Sequence, residues 1–192
     1  MIAAGDAPAF SLDPLGAFAY GGDADKTAAG LASLVVPHID DPADSWYPNY
    51  KYLARHLTIG LLLNEFMGGG TFESLLRRLQ NPLLNSRDHV AILSLAAPRI
   101  AEDFRGFTSD QYEGVFATAR GYLGPLADPS VIALFREGEP FATILAASPM
   151  EFVVDESSAG AAKVHVDQLY AVRRIMVGSL AMASANEWPH SV

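Results

Sequence analysis

The chain has 192 residues, half of them hydrophobic and only 18% charged, a balance that excludes global disorder and is enough for one substantial core. Its 22 acidic and 13 basic residues leave a formal net charge of −9, which repels a phosphate backbone and excludes duplex DNA as a first partner. With no cysteine there is no disulfide, thiolate metal site or cysteine nucleophile, and apolar runs such as residues 57–63 are too short to span a bilayer.

The N-terminal stretch Met1-Ile2-Ala3-Ala4-Gly5-Asp6 lacks the basic region of a signal peptide, so the expectation is a soluble piece without membrane contact, and the lack of cysteine suits a reducing cytoplasm. Residues 1–22 are rich in glycine, alanine, proline and aromatics without helical period. They read as an extended lead-in, the cut end of a larger protein, with a turn at Gly21-Gly22. From Asp23 the spacing Ala28, Leu31, Ala32, Val35 predicts an amphipathic helix that Pro37 stops, followed by an acidic loop over 38–45. Up to Asp44 there are seven acidic residues and only Lys26 to balance them, so this edge is expected to attract basic partners.

A longer helix is expected over about 46–67. Pro48 is tolerated in its first turn, Tyr50, Leu53, Ala54, Leu57 and Leu61 share one face, and Gly68-Gly69-Gly70 ends it. Thr71 caps a short helix to Gln80, Asn81-Pro82 breaks it, and Ser86 caps another that Pro98 interrupts. Thr108 and Gln111 have capping-box spacing for a helix to about Leu126, and Asp128-Pro129 opens the next, to about Arg136. Residues 140–147 add a further turn or two, residues 151–154 resemble a strand, and a last helix runs through Val166, Leu169, Tyr170, Met176 and Leu180.

These elements predict an all-α protein: a compact bundle of six to seven helices with at most one or two short strands at the edges. The expected organisation is a lead-in over 1–22, an all-α domain over 23–154 and a C-terminal helix and tail over 155–192.

The catalytic motifs are weak. Residues 22–27 imitate a phosphate loop, but Asp25 stands where glycine is needed before Lys26, and a turn with Asp23 capping a helix is the better reading. The histidines His38, His56, His89, His165 and His190 are scattered without metal-binding spacing, and no Gly-x-Ser-x-Gly elbow occurs. Carboxylates such as Glu102-Asp103 and Asp110 with Glu113 are the remaining acid and base candidates, although solvated charges at helix ends are the commoner case. The doublets Arg77-Arg78 and Arg173-Arg174 make a weak single-stranded nucleic-acid signal.

The order of features resembles the all-alpha domain of the coupling ATPases of type IV secretion and conjugation systems. Asp13-Pro14-Leu15 is similar to the Asn-Pro-Leu that leads from the ATPase strand into that domain, and residues 44–63 to the aromatic-led helix that follows. Phe107-Thr108, Glu113, residues 116–119, Leu126 and Asp128-Pro129-Ser130-Val131 follow the family's rhythm of helix, short turn and Asp-Pro start. The resemblance extends to about residue 154. It departs from the family in Asp13 for asparagine, in the missing proline after Phe152-Val153-Val154-Asp155, and in the final helix, which has no counterpart.

The resemblance implies a helical receptor domain of a hexameric ATPase anchored in the bacterial inner membrane. The domain would face the cytoplasm and have no cofactor of its own, ATP and magnesium belonging to the motor domain of the parent. Its partners would be a relaxase, a relaxosome accessory protein, an adaptor or a secreted effector, with at most weak or indirect contact to single-stranded DNA. The candidate partner-binding residues are Asp40, Asp41 and Asp44 in the acidic loop and Glu102, Asp103, Asp110 and Glu113 at the helix ends, with no catalytic or metal-binding residue assigned. The alternatives are a small helical enzyme using a carboxylate or histidine in an apolar pocket and a helical ligand-binding regulator, the latter disfavoured by the lack of a basic helix-turn-helix.

Overall fold

The computed structural model describes residues 12–20, 22–37, 48–81, 86–135 and 166–187. Within them the chain is helical, with no strand, as the periodicities predict. Eight α-helices follow one another: α1 (Ala24–Val35), α2 (Pro48–Met67), α3 (Phe72–Gln80), α4 (Ser86–Ala96), α5 (Pro98–Glu102), α6 (Ser109–Leu123), α7 (Pro129–Ile132) and α8 (Val166–Glu187). The expected acidic loop over 38–45, the turns over 140–147 and the strand over 151–154 lie outside the described residues.

The punctuation acts as the local chemistry requires. Asp23 accepts the amide of Lys26 to start α1, and Thr71 and Ser74 cap α3 reciprocally. Thr108 and Gln111 form the expected capping box, the Thr108 amide donating to Gln111 Oε1 at 2.8 Å. Gly69, at φ 68°, closes α2. Its amide donates to Phe66 O and that of Gly70 to Glu65 O, so the last turn's carbonyls are satisfied by the glycine run. The helix predicted to reach Leu126 ends at Leu123, because Pro125 tightens the chain into a 3₁₀ turn over Gly124–Ala127.

Helix α2 lies at the centre, packed against α1, α3, α4, α5 and α6. The sequence suggested one apolar face, but Leu62 and Leu63 are buried as well as Ala54, Leu57 and Leu61, because a helix wrapped by neighbours buries most of its circumference. Helix α8 packs on α1 and on the segment Pro14–Ala19. That contact is close. A Cβ on Gly178 would stand 2.4 Å from Leu34 Cδ1, and one on Gly30 would stand 2.3 Å from Met182 Sδ.

Two expectations are corrected. Residues 12–20 are not an extended lead-in: Pro14–Ala19 form a 3₁₀ helix capped by Asp13, with Leu12, Leu15, Ala17 and Phe18 buried. The Leu12 amide donates to Leu134 O at 3.1 Å, and Phe18 stacks on Phe66 with centroids 4.4 Å apart. The last helix likewise does not stand apart from the domain expected over 23–154, since Val172, Ile175, Met176 and Ala183 share one buried cluster with Leu12 and with residues of α1, α2, α3, α4, α6 and α7. Tyr170, counted with the apolar pattern of α8, is instead 47% exposed.

Arginines finish the packing. Arg55, buried, donates from Nε and Nη2 to Val36 O at 3.0 and 2.8 Å, closing the end of α1. Burial holds its pKa below the usual guanidinium value, with the nearby Tyr122 opposing the shift. Arg120 Nε donates to Leu79 O at the end of α3, and Arg174 Nε to Leu34 O near the end of α1. Among the described residues no helix is long and apolar enough to cross a membrane.

Candidate functional site

The predicted site residues that the structure describes lie where α5 turns into α6. Pro98 starts α5 and Glu102 ends it, after which residues 103–108 turn back into the capped start of α6. Gly106 takes φ 84°, a left-handed conformation that a side chain would strain. Three aromatics pin the turn: Phe104 is buried, its ring lies 5.6 Å from Phe107 and 6.2 Å from Tyr112, and Tyr112 Oη donates to Phe104 O at 2.6 Å.

This turn brings four of the predicted acids to one stretch of surface. Glu102, Asp103, Asp110 and Glu113 are all exposed, within twelve consecutive residues from 102 to 113. Asp110, in the first turn of α6, stands where the helix dipole favours a negative charge. Glu102 pairs with Arg105 one turn on. Asp103 Oδ2 lies 2.6 Å from His56 Nδ1, and Tyr52 packs on the His56 ring with centroids 4.1 Å apart. Asp40, Asp41 and Asp44 lie outside the described residues.

Sequence reasoning set His56 aside as one of five scattered histidines. Its partner is 47 positions away, so no local motif joins them. The available signal was the spacing of Tyr52 and His56, which puts both on one face of α2 one turn apart. The contact orients the imidazole, and Tyr52, 53% exposed, extends the edge with an aromatic surface suited to a partner's cationic or apolar side chain.

The basic doublets are placed differently from a nucleic-acid surface. Arg77 binds Glu73 Oε1 through Nε and Nη2 at 2.9 and 2.7 Å, and Arg78 Nη2 lies 2.8 Å from Glu65 Oε1. With Arg174 on the Leu34 carbonyl, three of the four guanidinium groups have partners within the chain, although Arg77 and Arg174 stay exposed.

Two open cavities adjoin each other beside α3. One, of about 540 Å³, lies among Arg77, Gln80, Pro125, Asp128, Ile132 and Gln168; the other, of about 430 Å³, lies among Leu76, Leu79, Gln80, Arg120, Leu123 and Gly124. The Asp128 carboxyl is held below its usual range by the Ser130 hydroxyl and then by the Ser130 amide, burial opposing, in its role as cap of α7. Among the described residues neither cavity is lined by a histidine or glutamate, and no three histidine, aspartate or glutamate side chains are grouped to hold a metal. No family model, curated protein or solved structure matches this chain.

Proposed function

We propose that this chain is a substrate-docking domain of a coupling ATPase of a type IV secretion or conjugation system, receiving a relaxase, a relaxosome accessory protein, an adaptor or an effector through a basic segment. The observation that carries the reading is the α5–α6 edge: four carboxylates displayed on an aromatic-pinned turn, beside an exposed tyrosine, in a chain of net charge −9. A preset acidic edge raises the encounter rate with a cationic partner and fixes its orientation. The resemblance supplies the system; the edge supplies the chemistry.

The departure at Asp13 is compatible with this reading. Its Oδ1 acts only as an acceptor, for the Leu15 and Phe72 amides, and the carbonyl oxygen of the family's asparagine performs the same task.

The test is reversal of the edge. The variant Glu102→Lys, Asp103→Lys, Asp110→Lys, Glu113→Lys is compared with the original chain for binding to a relaxase or effector of the source system at low and moderate salt, after thermal unfolding shows that both fold. The expected result is a loss of affinity of about tenfold or more and a flatter salt dependence. Equal affinity at both salts defeats the proposal.

One contact favours a second reading, a small helical enzyme. A carboxylate 2.6 Å from an imidazole nitrogen is the arrangement that orients a general base. The pair lines neither of the two cavities described above and stands beside an exposed tyrosine, which favours docking over a pocket reaction.

A further inference from the structure

We draw no further inference here: the strongest candidate, the outer face of α8 with Tyr170, Arg173, Arg174 and Val177 exposed along it, carries nothing, because Arg174 is already bound to the Leu34 carbonyl and nothing in the structure shows what covers the rest of that face.

Discussion

Asp13 Oδ1 accepts the amide of Phe72 at 3.1 Å, across 59 residues of chain, while accepting that of Leu15 at 2.9 Å. One carboxylate oxygen therefore caps the 3₁₀ helix that follows it and the first turn of α3. Two otherwise orphaned helix-start amides are satisfied by a single residue.

Asp13→Ala should consequently cost more than an ordinary cap, about 2 kcal/mol, because both amides lose their acceptor. Asp13→Asn should stay within about 0.5 kcal/mol of the original, since its carbonyl oxygen accepts equally well. Urea midpoints at constant m-value decide the matter, and an asparagine variant as unstable as the alanine one would show that the charge, not the acceptor, is what counts.

The pair Arg78 and Glu65 should behave as a buried ion pair with one wet partner. Glu65 is 4% exposed, its Oε2 accepts from Ser74 Oγ at 2.5 Å, and Arg78 is 29% exposed. Arg78→Met leaves a buried carboxylate without its cation and should cost about 3 kcal/mol. Adding Glu65→Gln should recover part of that loss. A double-mutant cycle measures the coupling, and additive losses would mean that the two groups do not interact.

Gly178→Ala should destabilise by about 1–3 kcal/mol, because the new methyl meets Leu34 Cδ1 at 2.4 Å in the contact between α1 and α8. Adding Leu34→Ala opens that space, so thermal unfolding should show the double variant losing less than the sum of the two single changes. A Gly178→Ala variant as stable as the original would mean that the end of the Leu34 side chain turns aside, or α8 shifts, at no more cost than the gain of about 1 kcal/mol in helix propensity.

Asp128 makes a prediction about pH. Its pKa is lowered in the folded chain, so its contribution is present above the unfolded value of about 3.9 and is lost as pH falls through the lower folded value. Near neutral pH Asp128→Ala should lose about 1 kcal/mol of cap stability. The gap between original and variant should be constant from neutral pH down to about pH 5 and narrow progressively below about pH 4. Asp128→Asn retains the cap without the titration, so a gap to alanine that narrows equally for this variant would assign the pH effect to another group.

Helix positions were largely legible because their causes are local. Asp23, Thr71, Thr108 with Gln111, and the prolines at 48 and 129 stand at helix starts where capping and proline chemistry place them, Pro98 breaks the helix before it and starts α5, and the glycine run at 68–70 stops α2. The burial of Ala28, Leu31, Ala32 and Val35 followed from spacing alone. The exposure of Glu102, Asp103, Asp110 and Glu113 was also legible, since charged residues near helix ends need no tertiary contact to be placed at the surface.

Other features were decided only in three dimensions. A segment rich in glycine, alanine and proline carries no period, so nothing local reveals that residues 12–20 are held by Leu134 O and the Phe72 amide. The arginine doublets gave only a weak nucleic-acid signal, and their sequence does not state that Arg78 meets Glu65 or that Arg174 meets the end of α1. His56 joins Asp103 for the same kind of reason. By itself the sequence determined an acidic chain that is helical over the described residues and where most of its α-helices begin, through interactions spanning three or four residues. Tertiary structure decided which face of α2 is covered, which charges are consumed internally and which acids are left on the surface, because those outcomes depend on contacts between residues far apart in the chain.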